Sequence, residues 1–302
     1  MAGLLECVPN ISDGRRPHEI EDIANAFASA GATNLGVDAD ADHNRTVITI
    51  AGTAQQVIDG AVAGVRAARD RIDLNRHHGA HPRMGATDVV PFIPLAGSTM
   101  DDAVAAARTA AERIWKELDV PTYLYAQAAS RPERVDLAAV RKGQFEGIRD
   151  TIGVDPRRLP DFGEAAVHPT AGITAVGARF FLVAYNVNLD SHDLELARRI
   201  AKSIREKDGG LPAVKAMGFD LPEQNLVQVS MNLVDYRKTS PIEVFDVIAA
   251  KAKEAGVEVA GSEVVGLIPA EAAPEGFRER VQAHDFDPDE QVIERRLARA
   301  RA

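Results

Sequence analysis

The chain has 302 residues, 45% hydrophobic and 26% charged, the proportions of a water-soluble globular protein with about two domains. A formal net charge of −10 argues against nucleic-acid binding, which rests on massed Lys and Arg, and favours a small-molecule partner. No apolar run approaches the roughly 20 residues of a membrane span, and the N-terminus does not read as a secretory signal, so a cytoplasmic location is expected. One cysteine, Cys7, excludes an internal disulfide and any multi-cysteine metal site.

Residues 3–9 read as a strand. A helix starting near Pro17 follows, with Ile20, Ile23, Ala24 and Phe27 on one face. Two short apolar runs, 36–38 and 46–50, are separated by turn residues and predict a hairpin. Val57, Ile58, Ala61, Val65, Ala68 and Ile72 recur at helical spacing over 54–72. After a loop rich in His, Gly and Pro, residues 87–92 form a fourth strand. This half therefore reads β-α-β-β-α-β, extended by a helix over 101–118 and a strand over 122–125.

The second half repeats that order, with strands near 180–187, 213–219, 225–233 and 257–267 and helices over 190–204 and 241–255. The fold class is α/β of the α+β type, two β-α-β-β-α-β subdomains over residues 1–177 and 178–302. Their sheets are expected to form a double layer with helices outside. A Pro- and Gly-containing loop over 151–174 sits before the boundary and is read as a functional loop at a domain junction. The tail from Pro274 alternates acids and arginines and is read as a solvated helix.

Three histidines, His77, His78 and His81, share one segment. His77 and His81 have the i, i+4 spacing of a helical zinc site, but Gly79 and Pro82 forbid a continuous helix, so no metal is expected and a zinc hydrolase is a minor reading. His81 stands between Gly79 and Pro82 at the entry to a strand, where a stiff backbone can aim the ring. Imidazole can take and return a proton near neutral pH, which suits transfer of a group between two nitrogens. Asp38, at a strand end in the same sheet, is the candidate to hold the ring's tautomer. Arg45, Arg83 and Arg179 are candidates for gripping substrate carboxylates. Asn10, Asn186 and Asn188, in the first strand of each half, are candidates for amide contacts to a ligand.

The run His81-Pro82-Arg83-Met84-Gly85-Ala86-Thr87-Asp88 with Val90-Pro91-Phe92-Ile93-Pro94 resembles the formiminotransferase domain of the formiminotransferase-cyclodeaminase family. The resemblance extends from Leu5-Glu6-Cys7-Val8-Pro9-Asn10 through Asn44-Arg45-Thr46-Val47, Pro160-Asp161-Phe162-Gly163 and Gln224-Asn225-Leu226-Val227-Gln228-Val229-Ser230 to Gly261-Ser262-Glu263-Val264-Val265-Gly266. It covers both halves.

The resemblance implies two α/β subdomains with a double layer of sheets, and transfer of a formimino group from N-formimino-L-glutamate to N5 of tetrahydrofolate, a late step of histidine breakdown. It puts His81 at the catalytic position, with Asp38 as its partner. It puts folate, a co-substrate, on the loop Gly163-Glu164-Ala165-Ala166-Val167-His168-Pro169-Thr170-Ala171-Gly172, where Glu164, Ala165, Ala166, His168, Thr170 and Ala171 depart from the animal pattern. It also implies a homodimer and a separate cyclodeaminase. Formyl transfer involving N-formylglutamate or 5-formyltetrahydrofolate, and a non-catalytic folate-binding protein, are the alternative readings.

Overall fold

Residues 3–95 and 97–300 are described in the computed structural model, and the chain divides into two units, Met1–Arg179 and Phe180–Ala302. Pro9 has no N–H to donate and splits the predicted first strand into β1 (Leu4–Cys7) and β2 (Asn10–Ile11). Helix α1 (Pro17–Ala28) opens on its proline and buries Ile20, Ile23, Ala24 and Phe27. Strands β3 (Thr33–Asp40) and β4 (Arg45–Thr53) form the hairpin, longer than the apolar runs alone predict. Helix α2 (Ala54–Arg71) starts with a capping box: Thr53 Oγ1 accepts the Gln56 N–H and the Gln56 side chain accepts the Thr53 N–H. β5 (Thr87–Pro94), α3 (Met100–Leu118) and β6 (Thr122–Ala126) follow, with Thr99 and Asp102 capping α3 in the same reciprocal way.

Three further elements complete the first unit: α4 (Leu137–Val140), α5 (Gln144–Thr151) and β7 (Thr174–Ala178). β7 inserts parallel between β5 and β6, so the sheet runs β1-β4-β2-β5-β7-β6 with β3 along β4. Every residue of β7 is buried, and a strand covered on both faces shows no alternation in its sequence. The 151–174 loop therefore lies within the first unit, ahead of its last strand, and not at the junction where its composition suggested.

One sheet face, carrying Leu5, Cys7, Ile48, Ile50, Val90 and Phe92, packs under α1, α2 and α3. The approach of α1 to α2 is close enough that a Cβ on Gly64 would lie 2.3 Å from the Phe27 ring and one on Gly60 2.2 Å from the Phe27 carbonyl oxygen. Removing a buried ring like that of Phe27 typically costs about 3–5 kcal/mol. On the opposite face, α4 and α5 bring Val140, Ile148 and Ile152 onto Val89, Tyr123 and Tyr125. That leaves the β3–β4 end of this face for the site.

The second unit contains β8 (Val183–Leu189), α6 (Leu194–Ile204), β9 (Val214–Leu221), β10 (Leu226–Leu233), α7 (Pro241–Glu254) and β11 (Val259–Val265), the predicted β-α-β-β-α-β order. Its sheet is ordered β11-β8-β10-β9. Asp193 and Ser240 cap α6 and α7. The tail differs from its reading as a solvated helix. Its pieces α8 (Phe277–Arg280), α9 (Pro288–Gln291) and α10 (Ile293–Ala300) bury Phe277, Ile293 and Leu297, and Phe277 meets Phe286 edge-on at 5.1 Å. Among the described residues no helix is long and apolar enough to cross a membrane.

The Gly64 contact yields a direct test of the α1–α2 packing. Gly64→Val forces a side chain into the Phe27 ring and should lower stability by roughly 1–3 kcal/mol, read from the urea midpoint. An unchanged midpoint would mean the helices are not packed this closely.

Candidate active site

His81 lies in the segment that joins α2 to β5, and three neighbouring segments fix that loop. The first is the β3–β4 turn: Asn44 Nδ2 donates to His78 O at 2.9 Å, His77 Nε2 bonds Asn44 O at 2.9 Å, and the Ala80 N–H reaches Asp42 O at 3.4 Å. Gly79 has to be glycine here, since a Cβ would lie 2.4 Å from His43 O.

The second is the end of the 163–172 loop, which binds both ends of the His81 loop. Thr170 O accepts from Leu74 N at 2.9 Å and Pro169 O from Asn75 Nδ2 at 2.9 Å; beyond His81, Ala171 O accepts from Ala86 N at 2.8 Å. His168 shapes this turn by accepting the Thr170 and Ala171 N–H groups on Nδ1 at 3.3 and 3.0 Å, which requires a neutral ring, and burial lowers its pKa accordingly. Gly172 has φ +73°, and a Cβ there would lie 2.2 Å from Met84 O.

The third is the 137–148 region. Arg83 grips Glu146 with two bonds of 2.8 and 2.7 Å, and its Nε donates to His77 Nδ1 at 3.3 Å. Because Arg83 can only donate, His77 carries its proton on Nε2, where it donates to Asn44 O. Both ring nitrogens of His77 are thus used, which removes it as a zinc ligand. The Arg83 bonds hold the Glu146 carboxyl down at about 2. Asp88 is 1% exposed; it accepts the Met84 N–H at 2.8 Å and takes Arg141 Nε and Nη2 at 2.8 and 2.6 Å. Burial pushes its pKa up, against the pull of Arg141.

Within this frame His81 makes no hydrogen bond among the described residues. Its Nε2 is buried and has no hydrogen-bond partner, and the same is true of Arg45 Nε and Thr87 Oγ1. A buried polar group left unpaired costs on the order of 1–3 kcal/mol, so two such nitrogens, on side chains that feel one another's field, mark a place built for something else. Burial first, then the positive fields of Arg45 and Arg141, push the His81 pKa from 6.5 down to about 4. The ring is neutral at neutral pH. Arg45 is itself lowered, by burial first and Arg141 second.

Asp38 is exposed on β3, and among the described residues no hydrogen bond joins it to His81. Strand register puts Asp38 on the same sheet face as Asn10, Asp40 and Arg45, so it acts on Arg45 through its field. The carboxylate that does hold an imidazole is Asp40, whose Oδ2 lies 2.6 Å from His43 Nδ1 in the adjacent turn.

Arg83 is closed on Glu146 and 8% exposed, and these bonds hold the loop. Asn10 donates to Val8 O. Arg179 follows β7, with its N–H on Phe92 O and its charge felt at Cys7 and Tyr125. In the second unit, Asn186 donates to Glu263 and Asn188 accepts from Gln228, an amide and carboxylate network in which Gln228 and Glu263 escaped the sequence reading. Of the 163–172 loop, Glu164, Ala165 and Ala166 face solvent, and its outer side borders a hollow of about 380 Å³ lined by Trp115, Pro121, Glu164, Ala166 and His168.

The family model for the formiminotransferase domain, N-terminal subdomain, matches residues 4–179, and that for the formiminotransferase domain matches residues 184–294. The chain belongs to the formiminotransferase family. It is 45% identical to the glutamate formimidoyltransferase of Streptococcus pyogenes serotype M1, over 98% of this chain and 99% of the other. Identity to the glutamate formimidoyltransferase of Thermoplasma acidophilum is 42%, over 98% of each. The formimidoyltransferase-cyclodeaminase of Sus scrofa is 44% identical over 90% of this chain, which spans 51% of that longer protein.

Two outcomes test the geometry. Gly172→Ala should destabilise the clamp by roughly 1–3 kcal/mol and speed amide exchange at Ala86 and Ile173; protection as in the wild type would contradict the clamp. The His81 ring should titrate near 4 in the free protein. Its pKa is depressed from 6.5, so the stability it contributes is fully present above 6.5 and falls away as pH drops from there to about 4. A midpoint near 6.5 would contradict the burial and the cation fields described.

Proposed function

We propose that this member of the formiminotransferase family moves the formimino group of N-formimino-L-glutamate to N5 of tetrahydrofolate, with His81 as its proton-transfer group. The observation that carries the reading is the buried, neutral and unbonded Nε2 of His81 beside the unpaired Nε of Arg45. With no protein hydrogen bond to either ring nitrogen among the described residues, the neutral imidazole keeps a lone pair for a substrate proton.

His81 accepts the proton that N5 loses as its bond to the amidine carbon forms. As the bond from that carbon to the glutamate nitrogen breaks, His81 returns the proton to the departing nitrogen, which leaves glutamate and the 5-formimino product. Charge is balanced at each step and no enzyme-bound covalent intermediate is needed. Holding both substrates against His81 supplies much of the rate by making the encounter local.

For tetrahydrofolate, the reading uses the 163–172 loop, whose turn is locked to the His81 loop and whose outer hollow includes Trp115. A hollow of about 380 Å³ falls in the size range of small-molecule sites. Trp115 is the chain's one tryptophan, so its emission reports directly on this loop. A homodimer belongs to the same proposal and rests on the family resemblance.

His81→Ala should lower transfer by about 10²–10⁴-fold while tetrahydrofolate, followed by Trp115 emission, binds within a few-fold of wild type. Near wild-type transfer by this variant would refute the role of His81. An emission that does not respond to tetrahydrofolate would remove folate from the loop.

A further inference from the structure

We propose that Arg141, locked by the buried carboxylate of Asp88, forms with Arg45 a seat beside His81 for one carboxylate of the amino-acid donor, and that filling this seat readies the imidazole. The inference rests on the transfer reading above and names the part of the site that takes the donor.

Two independent features of the geometry point to an anion. Arg45 extends from β4 with its Nε buried and unpartnered, and among the described residues it makes no ion pair; Asp38, Asp40 and Asp88 reach it only through their fields. Arg141 is held along one edge, with Nε and Nη2 both on Asp88 Oδ2, while its Nη1 makes no hydrogen bond among the described residues. Asp88 is in turn fixed by the Met84 N–H. A guanidinium immobilised in this way presents its free edge without loss of side-chain freedom on binding. The two cations also disfavour one another, Arg141 being the largest influence on Arg45 after burial. A carboxylate between them would relieve both.

Carboxylates occur on the formimino donor and on the glutamyl tail of folate. The seat lies beside the group that transfers the proton, and the donor's α-carboxylate is bonded to the carbon that bears the reacting nitrogen. The folate carboxylates are separated from N5 by the whole p-aminobenzoyl group. Distance along the molecule therefore assigns the seat to the donor.

The same cations act on His81. The charged and titratable groups acting on the ring are Arg45 from β4, Arg141 beyond α4, and the His43–Asp40 pair at the β3–β4 turn; His77, in its own loop, is held neutral. Asp88 offsets Arg141 in part. An arriving carboxylate cancels the two strongest of these positive fields, so His81 gains proton affinity only when the donor is in place. Without donor the ring stays neutral and idle.

The test uses N-formyl-L-glutamate as a donor mimic with the full chain, and follows the His81 ring by NMR in imidazole-labelled protein, assigned with His81→Gln. Saturating mimic should raise the His81 midpoint by about one pH unit or more. Arg45→Gln should weaken the mimic by roughly tenfold or more, raise the free midpoint, and leave tetrahydropteroate, which lacks the glutamyl tail, bound as before. Arg141→Met leaves Asp88 unpaired, so Arg141→Lys serves as the folded control. It keeps the charge but loses the fixed fork, and should weaken the mimic with a smaller change in the free midpoint.

An unmoved midpoint on saturation, or wild-type mimic affinity in both Arg45→Gln and Arg141→Lys, would overturn the seat. Weakened tetrahydrofolate with unchanged mimic would assign the seat to folate's tail and overturn the donor assignment. These readouts are binding and titration, so they stand or fall separately from the loss of transfer in His81→Ala that tests the reaction itself.

Discussion

The two-bond grip of Arg83 on Glu146 is the interaction on which the rest of the site depends. It ties the residue two places after His81 to helix α5, and through Nε it also orients His77, whose other nitrogen reaches the β3–β4 turn. One guanidinium thus joins three segments that are far apart in the chain. The Glu146 carboxylate is half exposed, so its contribution to global stability is screened. Its importance is positional. With that grip released, the loop would keep its backbone bonds to residues 170–171 but lose the orientation of its charged groups.

A histidine can be kept buried, neutral and unbonded only if the groups around it are satisfied elsewhere. His77 is closed by Arg83 and Asn44, Asp88 by Met84 and Arg141, His168 by two backbone N–H groups, and His43 by Asp40. The exceptions, His81 Nε2, Arg45 Nε and Thr87 Oγ1, all belong to the loop or to strands at its edge. This pattern separates supports from reactive groups more sharply than residue type does. By residue type alone Arg83 and Arg45 look alike; by partners one is a brace and the other is open.

Much of this was legible in the sequence, and the remainder was hidden for physical reasons. Helices α1 and α2 announce themselves by periodicity, and the repeated β-α-β-β-α-β order survives in both units. β7 was missed because Thr174-Ala175-Val176-Gly177-Ala178 is buried on both faces and so carries no alternation. α4 is too short for periodicity to register. His81 was found from its Gly and Pro flanks and its resemblance. Its surroundings were not, because Arg141 and Glu146 come from a segment about sixty residues away in the chain, and Asp38 and Asp40 share one face of the hairpin and differ in that Asp40 bonds His43. Sequence spacing says which side chains share a face, while hydrogen-bond partners say which are spent.

On the proposed function, transfer depends on a free imidazole at one place, supplied by His81 and shielded until substrate arrives. The most direct measurement is chemical rescue of His81→Ala under single-turnover conditions with a series of substituted imidazoles. Restored transfer that rises with imidazole concentration and with the basicity of the added ring is the predicted result. A rate indifferent to every imidazole in the series would mean that the reaction does not need a base at the position of His81, and would contradict the account.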